Sequence, residues 1–352
     1  MVELLLYLIA FILIIYLISR LIQNMKYKSN NTIEGLSLTK DSTDNAMKEF
    51  SQIKAKYNNL GSVQSLKKEF ANMPLHDYSI MSSYNSARSG DYVTSDMVKH
   101  VLSRGCRFLD FEIFYVKEGK NYIPKVGFTT DRSYSILDSK NTVSLDEILS
   151  GIAGYAFSQS SPNHNDPVFV NLRIKSKDTN KYQAVAKSID ANIKNMCHVG
   201  KINKDTKMVE LLRKIVIVMD KTIERDYPMY SSCPENNTKC YELTKYINIE
   251  SGSEYLNLFT YTGILNHSNT TVLIKDNNIE TTATHMKMAV PDLATKSKNP
   301  EFKDFVLKHA CQNVLYRFDI YDKNIKKYEE YFQTANGGIV PLSAFLKILT
   351  QK

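Results

Sequence analysis

From residue 74 onward, the apolar positions of this chain switch repeatedly between a period of two and a helical period. RFLDFEIFYV (107–116) and PVFVNLRIK (167–175) alternate as strands do, and KIVIVMD (214–220) is apolar almost throughout. LFTYT (258–262), TVLIK (271–275) and NVLYRFDI (313–320) read as further strands. Helical stripes lie between them. SDMVKHVLSRG (95–105) puts Met97, Val98, Val101 and Leu102 on one face. YQAVAKSIDANIKNM (182–196) lines up Tyr182, Val185, Ala186, Ile189, Ile193 and Met196. PEFKDFVLKHA (300–310) and NIKKYEEYFQTA (324–335) are also helical in pattern. Strand–helix alternation over residues 73–352 predicts one α/β domain, and at this size an irregular TIM-like (β/α) barrel.

The chain begins differently. LLLYLIAFILIIYLI (4–18) carries no charge, and with Met1, Val2, Leu21 and Ile22 it approaches the about 20 apolar residues that span a bilayer. Glu3 precedes the run and Arg20, Lys26 and Lys28 follow it, the reverse of a cleaved signal peptide. Residues 1–22 are therefore expected to form an uncleaved transmembrane helix. Its positive C-terminal flank predicts a single-pass protein with the large domain facing the cytoplasm. Residues 23–72 form a polar connector, in which Met47, Phe50, Ile53 and Tyr57 fall near helical spacing. That segment is expected to pack on the barrel as an amphipathic helix.

Composition narrows the picture only a little. The net charge of +8 is spread without a dense Lys/Arg block, which fits a solvated lysine-rich surface and gives no sign of nucleic-acid binding. Trp is absent while Lys and Asn abound, as in an AT-rich coding sequence. The five cysteines are odd in number and scattered, which points to reduced thiols. CPENNTKC (233–240) alone has the spacing of a small disulfide loop. Glycosylation sequons begin at Asn30, Asn236, Asn266 and Asn269, as an Asn-rich chain produces readily by chance.

The candidate chemistry sits on the strands. In RFLDFEIF, Asp110 and Glu112 are two apart and project from the same face. Two carboxylates buried together are costly unless a cation joins them, either a hard metal ion such as calcium or a protein side chain. Asn171 and Arg173 share one face of the next strand, so a guanidinium at 173 would approach those carboxylates if that face is the barrel lumen. Upstream, PLHDYSIMSSYNSARSGDYV (74–93) runs from a short strand into a loop of small polar residues, a place where ligands are often held.

These segments, in order, resemble the X region of phosphatidylinositol-specific phospholipase C. PLHDYSIMSSYNS, RGCRFLDFEIF, DPVFVNLRIK and LLRKIVIVMDK carry the likeness. VPDLATKSKNPEFKDF, CQNVLYRFDI and YFQTANGGIVPL resemble its Y region. The resemblance implies a TIM-like barrel and phosphoric diester hydrolysis assisted by two histidines and calcium. The first histidine's slot holds Tyr84 and the second's holds Val126; none of the seven histidines falls in either. Asn85, Asp110 and Glu112 fill three of the calcium-ligand slots, and Arg173 stands in the fourth. The lysines that hold phosphoinositide map to Val218 and Asp220, and the substrate clamp to Met288, Ala289, Val290 and Pro291.

The resemblance therefore implies a degenerate site without catalytic residues. Asn85, Asp110, Glu112 and Arg173 would form a vestigial metal pocket, with calcium lost and no other cofactor. The expected role is structural or binding: a component of the inner membrane of a large DNA virus that tethers membrane to capsid proteins. A lipid-headgroup-binding module is one alternative. A diverged phosphoric diester hydrolase is another, with His76 or Asp77 as its replacement base.

Overall fold

The computed structural model describes residues 33–34, 40–57, 63–118, 121–134, 136–175, 179–234, 240–268, 272–275, 278–281, 285–292 and 298–351, with Ile14 and Tyr16. The transmembrane helix expected over 1–22 otherwise lies outside these residues. Among the described residues, no helix is long and apolar enough to cross a membrane.

Eight parallel strands close into a barrel. In chain order they are β1 (Ser82–Ser83), β2 (Phe108–Glu118), β3 (Val168–Ile174), β4 (Ile215–Asp220), β5 (Ile249–Ser251), β6 (Leu256–Thr260), β7 (Met286–Val290) and β8 (Asn313–Tyr316). Each pairs with its sequence neighbour, and β8 pairs with β1 through Leu315–Ser82 and Tyr316–Ser83. Alternation explains the closure. Phe108, Phe169, Val216, Val218, Ile249, Leu256, Met286, Met288 and Leu315 fill the barrel interior. Leu109, Phe111, Val170, Leu172, Ile217 and Ala289 belong to the outer core beneath the helices. The interior of a barrel of this size is filled by side chains, so the lumen is a second core and not a pore.

The helices follow the expected stripes. The first, α1 (Lys40–Lys56), buries Phe50 and Ile53 and leads into buried Tyr57, while Met47 stays 39% exposed. The Tyr57 hydroxyl donates to the Phe318 carbonyl, which fixes the connector on the barrel. Next, α2 (Ser95–Ser103) starts at Thr94, whose side chain accepts from the Met97 N–H. It ends before Gly105, whose φ of +97° suits the residue after a helix C-terminus. After these, α3 (Leu145–Tyr155) and α4 (Thr179–Asn192) come after β2 and β3 in the chain, and α5 (Lys323–Thr334) follows β8. At the closure, α5 sends the Tyr328 hydroxyl to accept from the Ser82 N–H, and its Glu329 takes a two-pronged bond from Arg104.

Three features depart from the simple alternation. TVLIK does not enter the barrel: Val272–Lys275 pairs antiparallel with Asn278–Thr281 as a separate hairpin, and the seventh strand is Met286–Val290. Asn121–Gly127 runs back antiparallel along β2. Last, β5 and β6 have no crossover helix between them and pair at the single position Ser251–Leu256. The loop CPENNTKC is closed by a disulfide between Cys233 and Cys240, whereas Cys106, Cys197 and Cys311 are free and buried.

Candidate functional site

The C-terminal ends of β1, β2 and β3 bring Tyr84, Asn85, Asp110, Glu112 and Arg173 together. Strand parity places them. Asp110 and Glu112 project inward above Phe108, and Asn171 and Arg173 inward above Phe169. Asp110 and Asn171 are direct register partners. Asn85 has φ +44°, a left-handed conformation that Asn tolerates better than most residues. Three bonds hold it there. Its N–H donates to Asp110 Oδ2 at 2.9 Å, its Nδ2 to Glu112 Oε1 at 3.2 Å, and its carbonyl accepts from the Arg88 N–H.

Arg173 is the centre of the cluster. Its Nε donates to Asp110 Oδ1 at 2.8 Å, and its Nη2 to Asp110 Oδ2 at 2.6 Å and Asn85 Oδ1 at 2.7 Å. Its Nη1 donates to Glu112 Oε1 at 2.9 Å and to the Tyr84 hydroxyl at 3.1 Å. A guanidinium has five N–H donors, and all five are used. The Tyr84 ring also lies under the guanidinium carbon at 4.4 Å. Asp110 is equally saturated. Each of its oxygens accepts two bonds, the remaining donors being Asn171 Nδ2 and the Asn85 N–H. Burial alone would lower the Arg173 pKa, but Asp110, Tyr84 and Glu112 outweigh it and raise it. Burial pushes the Tyr84 phenol up to about 12, against the pull of Arg173.

This donor set does not fit calcium. A calcium ion needs six to eight oxygen ligands with free lone pairs. Here Asn85 Oδ1, both Asp110 oxygens and Glu112 Oε1 already accept from a fixed cation. No group of three or more metal-ligating His, Cys, Asp or Glu side chains occurs among the described residues.

Beside the cluster a cleft opens with about 30 Å³ of free space, lined among others by Tyr84, Arg88, Phe128, Thr129, Asp292 and Arg317. Arg88 and Arg317 both bind Asp319 Oδ2, at 3.1 and 2.7 Å, and Arg88 stacks on the Phe128 ring at 4.0 Å. Burial lowers the Arg88 pKa, and Asp319 counteracts it. Among the described residues, no histidine lines this cleft.

Several expected placements change. Val126 is not at the cleft: it lies opposite Ile113, buried in the outer core, and Phe128 and Thr129 line the cleft instead. The Thr129 N–H donates to Glu112 Oε2 at 3.1 Å. His76 and Asp77 sit on the turn Leu75–Asp77 before β1, at the opposite end of the barrel from the cleft. Val218 and Met288 are interior core, while Pro291 lines the cleft. Asp220 faces the mouth and binds the Thr222 N–H and hydroxyl; burial raises its pKa. Sequence reading missed Arg88, Arg317 and Lys175. For Arg317 the signal was present: it shares the inward parity of Asn313 and Leu315 in NVLYRFDI. Lys175 follows Arg173 by two and sits over the Tyr134 ring at 4.4 Å. Burial lowers its pKa, with Glu112 acting the other way.

Fold and site together define a closed (β/α) barrel with its polar centre at the C-terminal ends of the first three strands, where such barrels keep their active sites. Residues 71–221, less than half of the chain, match the family model "Phosphatidylinositol-specific phospholipase C, X domain". Among solved structures, L. pealei PLC21 is similar with TM-score 0.55 and 16% identity, over 80% of this chain and 38% of that one. S. officinalis PLC21 is similar with TM-score 0.54 and 15% identity, over 79% and 38%. The chain thus spans well under half the length of these two proteins, and at such identities the likeness speaks for the fold. A search of curated proteins found no match.

Proposed function

We propose that the protein is a catalytically silent phospholipase-C-like barrel that needs no calcium and acts in binding or in structure. One observation carries this reading. The Arg173 guanidinium spends all five donors on Asp110, Glu112, Asn85 and Tyr84, the residues that the family resemblance assigns to calcium and to the first histidine. Proton transfer near neutral pH needs a group that titrates there. Tyr84, pushed up to about 12, stays protonated, and Val126 faces away. Removing a single general acid or base typically loses on the order of 10²–10⁴ in rate, and both slots are changed here. The membrane-to-shell tether is the structural form of this reading. It rests on the apolar run 4–18, largely outside the described residues.

A diverged phosphoric diester hydrolase is the second reading, favoured by the X-domain match over 71–221. Its base would have to line the cleft, and Asp292 is the candidate there, since Glu112 is held by Arg173. The test is hydrolysis of phosphatidylinositol by the full chain in detergent, with and without calcium. No inositol phosphate above background is expected, together with a melting temperature that calcium leaves unchanged, because a ligand stabilises only by binding the folded state. Turnover that disappears in Asp292→Asn would establish the hydrolase instead.

A further inference from the structure

Two connections at the mouth of the barrel carry features that the site does not use. The β4–β5 connection holds the Cys233–Cys240 disulfide, with Cα atoms 5.7 Å apart. The β6–β7 connection holds Asn266, which caps the C-terminal end of the short helix Tyr261–Leu265. Both connections follow the C-terminal ends of their strands, so both lie on the rim that surrounds the cleft. Asn266, His267 and Ser268 form a sequon, and all three are exposed. The backbone N–H of Asn266 donates to the Thr262 carbonyl at 3.1 Å, and the residue is exposed.

Either feature alone is weak, because sequons arise by chance in an Asn-rich chain. Together they agree on an environment. Disulfides persist where thiols are kept oxidised, and N-linked glycans are surface marks of secretory-pathway proteins. The remaining cysteines fit as well: Cys106, Cys197 and Cys311 are buried beyond reach of exchange, and the oxidised pair is the one on a surface loop. We infer that the mouth of the barrel faces an oxidising, glycosylating compartment, with Cys233 bridged to Cys240 and Asn266 carrying an N-linked glycan. This reverses the orientation expected from Arg20, Lys26 and Lys28. A disulfide-bearing oxidoreductase is reduced to its dithiol as the two cysteines are oxidised. The oligosaccharide leaves a lipid-linked pyrophosphate donor for Asn266 Nδ2, which loses one proton. A bulky, hydrated glycan on this rim would also hold the mouth away from a lipid surface, whatever the site retains of catalysis.

The experiment uses the full chain expressed in cells with a secretory pathway. Treatment with peptide-N-glycosidase should remove a mobility increment from the parent. Asn266→Gln and Ser268→Ala should each lose one such increment, and both should still yield an unreduced peptide joining Cys233 to Cys240. Two variants are used so that a folding defect in one does not decide the result. A parent with no enzyme-sensitive increment overturns the inference. So do increments unchanged in both variants, which would move the glycan elsewhere, and so does alkylation of Cys233 and Cys240 in the unreduced folded protein.

Discussion

At the scale of single residues, Arg173 decides how the site is read. A buried guanidinium with two carboxylates is costly to desolvate, and its attraction repays that cost only with good geometry and full hydrogen bonding. Here every donor is used and Asp110 is saturated, so removing one partner strands a buried charge. Arg173→Ala is expected to lower stability by about 3–5 kcal/mol, read by urea denaturation. A variant as stable as the parent would show that the cluster is not held by this ion pair. Arg173→Glu tests the same logic from the other side. It replaces the cation with an oxygen ligand, so it should be less stable than Arg173→Ala in chelator and regain stability in millimolar calcium. The ion-pair partners were legible in the sequence, because period two puts Asp110 and Glu112 on one face and Asn171 and Arg173 on another that faces the same lumen. The two-pronged geometry and the roles of Tyr84 and Asn85 as acceptors were not, since they depend on a loop turning back at a positive φ.

At the scale of elements, the sequence shows what alternates over five or more residues and hides what is shorter. Here β2, β3 and β4 stand out because both faces bury apolar side chains over long runs. By contrast, β1 is two residues and β5 three, too few to carry a period, and β5 and β6 lack the helix that usually marks a parallel pair. The hairpin 272–281 drew the strand assignment away from MKMAV because its β-branched residues look more strand-like than two methionines. The α2–β2 junction is an element boundary that the sequence does specify. Gly105 takes φ +97°, and a Cβ there would lie 2.3 Å from Val63 Cγ2. Gly105→Ala should therefore cost about 1–3 kcal/mol, from backbone strain and from the push on Val63. The denaturation midpoint should fall with the slope unchanged. An unaltered midpoint would mean that the turn relaxes freely.

At the scale of the whole molecule, the barrel is closed at its floor by the segment that leads into it, and that closure carries a buried acid. Asp166, fully buried just before β3, accepts the Leu66 N–H on Oδ1 at 2.7 Å and has no partner on Oδ2. Arg107 is equally buried, but its Nη donors go to the Ala156 carbonyl, Ser161 and Asn163, and its Nε has no partner. Burial therefore dominates, and it pushes the Asp166 carboxyl up to about 7, with Arg107 drawing it back. The sign of the pH dependence follows. The folded state binds this proton more tightly than the unfolded chain, so the group's contribution is fully present below about pH 4 and is lost as pH rises through 7. Asp166→Asn retains an acceptor for Leu66 and cannot titrate. The stability of the parent relative to Asp166→Asn should therefore fall by up to about 4 kcal/mol between pH 4 and pH 8, measured by urea denaturation across that range. The comparison between the two proteins removes the titration of every other group. A difference that stays flat over the whole range would mean that Asp166 is ionised in the fold and paired with Arg107 after all, and that the floor of the barrel is held by charge instead of by a neutral hydrogen bond.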